Sequence, residues 1–154
     1  ILVCGAGLAA TSWGQTLLTG GSWSPPESYG RKTPLAAGEA LIQLHEQQSS
    51  ADRETLIFNT MEWGDWLIWR SHNALPLLLN SHVTFVRPHI WQDYLTLIRH
   101  EADWRSAWES YPFSLAIVDD RRHGKLAKEI EQLPDWQEVY RDRLAVIFVK
   151  SPAE

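Results

Sequence analysis

Apolar residues along the chain follow two kinds of pattern, helical spacing and short continuous runs. Helical spacing, with apolar residues three or four positions apart, starts after Thr33-Pro34, a pair typical of a helix start. Asn59, three residues before Glu62, predicts a capping box at the start of a second helix. The five predicted helices cover about residues 33–47, 59–70, 88–98, 103–111 and 126–133.

The short apolar runs have the length and composition of buried strands. They cover residues 56–58, 75–79 and 115–118, and a final pair at 139–141 and 146–149 flanks Asp142-Arg143 as an antiparallel hairpin. Because helices and strands alternate, the order predicts an α/β fold with helices on both faces of a sheet. We therefore expect a three-layer α/β/α domain with a mixed, mainly parallel sheet and a C-terminal antiparallel hairpin.

The organisation of the chain predicts one folded domain over residues 33–150, followed by a short tail at 151–154. Residues 1–10 are apolar but fall short of the roughly 20 residues that span a bilayer, and they lack the charged start of a signal peptide. We interpret residues 1–18 as the remnant of a transmembrane helix. Residues 19–32, which include Pro25-Pro26, are expected to form a linking loop.

Composition and charge exclude several classes of function. The net charge is −5, and no cluster of basic residues indicates a nucleic-acid partner. Cys4 is the one cysteine, which excludes an internal disulfide and a cysteine-based zinc site. The six histidines form no H-x-x-x-H pair and no H-E-x-x-H motif, so we predict no metal and no cofactor.

Tryptophan is unusually frequent, with nine residues in 154. We expect most of them to pack in the core, and the alternative is a surface that stacks on sugars or sits at a membrane interface. Trp63, Trp66 and Trp69 step by three along a predicted helix, so they cannot all be buried. Trp63 and Trp69 are therefore candidates for stacking on a ligand.

The segment Gly5-Ala6-Gly7-Leu8-Ala9-Ala10 matches the G-x-G-x-x-A pattern of dinucleotide-binding loops. Such a site also needs a strand that ends in an acidic residue about 20 positions later. That region contains Pro25-Pro26-Glu27 and no predicted strand before it. The end of a membrane helix gives the same letters, and we favour that interpretation over nucleotide binding.

Polar residues follow two of the predicted strands, where α/β folds place their ligands. Asp119 and Asp120 follow one strand, and Asn80 and His82 follow another. We predict that these four residues line one crevice and contact a ligand there. Alternatively, Asp119 and Asp120 cap the next helix and pair with the adjacent arginines, and we favour that role for them. No Gly-x-Ser-x-Gly nucleophile motif is present, and we predict no catalytic residue.

The strongest resemblance to a known family lies in residues 58–69, FNTMEWGDWLIW, and in their spacing to later features. Those features are residues 75–80, Tyr94, Trp104, residues 116–118, Leu126, Trp136 and residues 139–149. Over residues 33–150 the chain resembles the soluble C-terminal domain of multi-spanning bacterial membrane proteins. Those proteins are similar to the dolichyl-phosphate-mannose-type glycosyltransferases, which use lipid-linked sugars.

This resemblance implies a domain on the extracytoplasmic, periplasmic face of the bacterial inner membrane, after the last membrane helix. Its partners would be the membrane part of the same polypeptide and a lipid-linked sugar or glycan acceptor. The family's catalytic carboxylate lies in a membrane-part loop that this chain does not contain. The family's Asp-x-Arg pattern matches Asn80-Ser81-His82 here, which removes both charges.

The sequence thus favours a non-catalytic accessory domain of a membrane glycosyltransferase-like protein, with no complete active site in this chain. Two alternatives stay open. One is a Rossmann-like nucleotide-binding enzyme that uses Gly5 and Gly7, and the other is a protein-interaction module without a small ligand.

Overall fold

A computed structural model describes residues 32–48, 53 and 55–151 of the chain. The predicted membrane-helix remnant, Gly5, Gly7 and nearly all of the predicted loop lie outside the described residues, as does most of the predicted tail. Within the described ranges, no helix has both the length and the apolar character that crossing a bilayer requires.

Five α-helices and one 3-10 helix occur among the described residues. They are α1 Leu35–Gln47, α2 Met61–Arg70, the 3-10 helix Val83–Phe85, α3 Pro88–Arg99, α4 Trp104–Glu109 and α5 Gly124–Glu131. Helical spacing in the sequence predicted each α-helix to within a few residues. The pair Thr33-Pro34 was predicted to start this helix, and Pro34 occupies the N-cap position of α1.

Four strands form one mixed sheet. They are β1 Leu56–Asn59, β2 Phe113–Asp119, β3 Trp136–Arg141 and β4 Ala145–Lys150. Their order across the sheet is β1-β2-β4-β3. The α/β class and the C-terminal hairpin are confirmed. The prediction of a mainly parallel sheet is wrong for the described strands. β1 and β2 pair in parallel, whereas β4 pairs antiparallel with both β2 and β3.

Residues 75–79, named here the edge segment, lie beside β1 but form only one bridge of a strand, between Leu77 and Ile57. The Ile57 N–H donates to the Pro76 carbonyl at 2.8 Å, and the Leu78 N–H donates to the Ile57 carbonyl at 2.9 Å. Pro76 has no N–H of its own to add to the pairing. The predicted strand is therefore replaced by an extended segment with a single parallel bridge.

Alternate residues of the strands pack into two hydrophobic clusters. Ile57, Ile117 and Ile147 belong to the cluster that contains buried residues of α1 and α2. Phe58 and Phe148 belong to the cluster that contains buried residues of α3, α4 and α5. The second cluster also holds three tryptophans, so the core interpretation is confirmed for Trp104, Trp108 and Trp136.

Candidate functional site

The side chain of Asn59, at the carboxyl end of β1, is fully buried and joins β1 to the edge segment. Its Nδ2 donates to the Leu79 carbonyl at 2.7 Å, and its Oδ1 accepts the Leu79 N–H at 3.2 Å. The amide thus continues the pairing that the backbone begins at Ile57. The predicted capping box is wrong, since Thr60 is the N-cap of α2 and no side chain caps it.

The turn after the edge segment is held by α2. The Ser81 N–H donates to Asp65 Oδ1 at 3.3 Å, and the Ser81 hydroxyl bonds the other Asp65 oxygen. Gly64 lets the helix approach closely, because a Cβ at that position would lie 2.4 Å from the Leu79 carbonyl oxygen. Asn80 Oδ1 accepts the N–H of His82 at 2.9 Å. These contacts fix Asn80 and His82 at the rim of an open groove.

The groove has a volume of about 550 Å³ and runs along the edge segment. Its lining consists of residues 73–80 with Arg53, Ile68, His82, Phe85 and Val86. Most of these residues are apolar, and no aspartate or glutamate is among them. The Phe85 side chain is 87 % exposed. Phe85 was not predicted from the sequence, because Val83, Phe85 and Val86 form too short an apolar pattern to indicate an exposed side chain.

Asp119 and Asp120 lie outside the lining of this groove, so the groove contains only Asn80 and His82 of the four predicted crevice residues. Asp119 Oδ1 accepts the backbone N–H groups of Arg121 and Arg122, each at 3.0 Å. Asp120 pairs with Arg141 of β3 at 2.6 Å. Both carboxylates have structural roles, but not the ones that the alternative interpretation gave them. Neither side chain caps α5, and the ion-pair partner of Asp120 is Arg141 and not an adjacent arginine.

The N-terminus of α2 is tied to the loop after β2. Thr60 Oγ1 accepts the Asp119 N–H at 2.9 Å, and Glu62 forms an ion pair with Arg122. His123, and not either aspartate, is the N-cap residue of α5. The polar groups at the ends of β1 and β2 are thus used to hold the backbone together.

The three tryptophans of α2 differ in burial. Trp63 is only 4 % exposed and lies in the core, which leaves it no face for stacking on a ligand. Trp66 is partly buried, and Trp69 is 56 % exposed. The prediction that they cannot all be buried is confirmed. Trp69 therefore remains a candidate contact, whereas the same prediction for Trp63 is wrong.

A buried tyrosine positions α3 against the start of α2. The hydroxyl of Tyr94 accepts the Met61 N–H at 2.8 Å. Burial raises the pKa of Tyr94 above its ordinary range, so the hydroxyl stays protonated. Burial and the hydrogen bond to Asp93 likewise raise the pKa of Tyr111. Both tyrosines serve the packing of α3 and not a ligand site.

The described residues contain no group of three or more histidine, cysteine, aspartate and glutamate side chains placed to hold a metal ion. No family model matches the chain, and neither a curated protein nor a solved structure matches it.

Proposed function

We propose that the chain is a non-catalytic accessory domain of a membrane glycosyltransferase-like protein, on the extracytoplasmic face of the bacterial inner membrane. It packs against the membrane part of the same polypeptide and contacts a lipid-linked sugar or glycan acceptor. Its helices form one layer on each face of the sheet, an arrangement that the two hydrophobic clusters support. The resemblance of residues 58–69 to that class of protein is the reason for this choice.

The groove beside the edge segment is the observation that carries the proposal. It places an amide and an imidazole, from Asn80 and His82, close to the exposed ring of Phe85. Sugar hydroxyls pair with amide and imidazole groups, and the apolar face of a sugar ring packs on an aromatic ring. The groove is open and presents both polar and apolar surface, which suits a glycan with an attached lipid.

A binding role fits the polar groups at the strand ends better than a catalytic role. Asp119 accepts two backbone N–H groups, and Asp65 is bonded to both polar groups of Ser81. A general base must instead be able to reach a proton of the substrate. Carboxylates that are already engaged in turns stabilise the fold, and none of the described residues that line the groove is an aspartate or a glutamate.

The test is a titration of the whole 154-residue chain with a short-chain polyprenyl phosphate that carries one hexose. Tryptophan fluorescence and nuclear magnetic resonance shifts report binding. We expect Asn80→Ala and His82→Ala each to weaken binding about fivefold, the effect of one hydrogen bond of ordinary strength. His123→Ala, at the N-cap of α5 and outside the groove, is the matched control and should bind normally.

Binding of the hexose compound that is unchanged in both groove variants would contradict the proposal. So would equal affinity for the polyprenyl phosphate without its sugar, because the hexose then makes no contact. Shifts that map to another surface would point to an interaction module instead.

A further inference from the structure

One stretch of the chain is free of acidic residues and contains two exposed aromatic side chains of the part that the structure describes. Residues 66–92 contain no aspartate or glutamate, although the whole chain has 19 of them. The described residues have three exposed large hydrophobic side chains, and two of them, Trp69 and Phe85, belong to this stretch. The third, Val139, lies in β3 next to Glu138.

Basic side chains accompany these aromatic residues. Arg87 follows Phe85 by two positions, is exposed, and forms no ion pair within the described part of the chain. Arg53 also lines the groove, but Asp52 and Glu54 flank it in the sequence, so it is not counted among the cations of this surface. Three of the six histidines, His72, His82 and His89, also fall in the acid-free stretch.

Glu39 pairs with Arg70 inside the stretch at 2.6 Å, and the two acidic residues that border the stretch in the sequence are also engaged. Asp65 accepts hydrogen bonds from Ser81, and Asp93 accepts the hydroxyl of Tyr111 at 2.7 Å. The groove residues between Asn73 and Val86, together with Arg87, form a surface named here the acid-free face, which combines the exposed ring of Phe85 with a cation.

We propose that the acid-free face rests on an anionic lipid surface, with Phe85 inserted among the acyl chains and Arg87 at the phosphate groups. An exposed aromatic ring gains free energy by leaving water, and basic side chains gain from the negative potential of anionic headgroups. The inference rests on the proposed function, which provides a bilayer beside the domain. In that setting the groove opens where the headgroup of a lipid-linked sugar lies.

The experiment is flotation of the 154-residue chain with two kinds of vesicle, phosphatidylcholine alone and phosphatidylcholine mixed with phosphatidylglycerol. Because residues 1–10 are apolar, the informative quantity is the difference between variants of the same chain. We expect Phe85→Ser to lower binding to the anionic vesicles about tenfold or more. Arg87→Gln should lower it about fivefold and weaken its dependence on salt.

Two control variants keep the interpretation specific. Val139→Ser removes an exposed apolar side chain beside an acidic residue, and Arg121→Gln removes an exposed arginine outside the acid-free face. Neither should change vesicle binding. Phe85 is 87 % exposed, so its replacement leaves the fold intact, which circular dichroism verifies.

The inference is overturned if Phe85→Ser binds anionic vesicles as the unchanged chain does, or if Val139→Ser loses as much. Equal binding to neutral vesicles would also overturn it, since the cations would then have no role. So would self-association that Phe85→Ser abolishes in the absence of vesicle binding, which would assign the face to a second copy of the chain. Vesicles without any sugar are used, so failure here is distinct from failure of the hexose titration.

Discussion

The account of the edge segment makes a quantitative prediction about Asn59. Asn59→Ala removes the amide that satisfies both backbone polar groups of Leu79, which is 3 % exposed and out of reach of water. A buried backbone group without a partner costs about 1–3 kcal/mol, so two such groups cost about 2–6 kcal/mol. That loss is a large fraction of the total stability of an ordinary domain.

Urea denaturation followed by tryptophan fluorescence measures this free energy of unfolding. The matched control is Asn80→Ala, because Asn80 accepts one hydrogen bond, from the N–H of His82, and is only partly buried. We expect that control to lose about 1 kcal/mol or less. A loss in Asn59→Ala below about 1 kcal/mol, or no larger than that of the control, would refute the role assigned to the buried amide.

Three further predictions concern packing, pH and charge. Gly64→Ala should destabilise the chain by about 1–3 kcal/mol, because its methyl group would meet the Leu79 carbonyl. The control Gly124→Ala has its nearest atom at 3.7 Å and should be neutral or gain up to about 1 kcal/mol in the same urea assay. Equal losses of stability in the two variants would contradict this. Because the folded state raises the pKa of Tyr94, the contribution of Tyr94 to stability is complete below about pH 10 and is lost as the pH rises further. The urea midpoint should therefore fall above about pH 10, and it should fall less steeply in Tyr94→Phe. Equal slopes in the two proteins would exclude Tyr94 as a cause. Asp120→Asn should lower the free energy of unfolding by less than about 1 kcal/mol, because its ion pair with Arg141 is partly exposed. Binding of the hexose compound should not change, because Asp120 lies outside the groove lining. Weakened binding would show that Asp120 contributes to the ligand site.

Local patterns in the sequence predicted the helices well, and strand pairing much less well. Pro88 occupies the first position of α3, as a proline at a helix start predicts. The hairpin of β3 and β4 was also predicted, because Asp142-Arg143 separates two strand-like segments. The position of β4 between β2 and β3 was not, because nothing local states which strand a hairpin returns to.

Asn59 shows why part of the site could not be predicted. With Glu62 three positions later it has the letters of a capping box, which is a local signal. Its actual partner is Leu79, 20 positions later in the chain, and this contact outcompetes the local one. Pro76 and the amide of Asn59 together explain why an apolar run that predicted a strand forms only one bridge.

Some of the candidate ligand residues could be predicted from the sequence, and others could not. Asn80 and His82 were predicted at the carboxyl end of the edge segment, and the groove lies there. Trp63 was misjudged because helical spacing limits how many of the three tryptophans are buried without naming which one is exposed. Phe85 required the structure, which places it at the end of the 3-10 helix Val83–Phe85 with an exposed side chain.

The central claim is that the chain is the accessory domain of a membrane glycosyltransferase-like protein. The most direct test is to sequence the coding region upstream of the Ile1 codon and to count apolar stretches of about 18 or more residues. We predict several such stretches. A start codon within a few residues of Ile1, with no apolar stretch before it, would contradict the claim, and nucleotide binding at Gly5 and Gly7 would then be tested next.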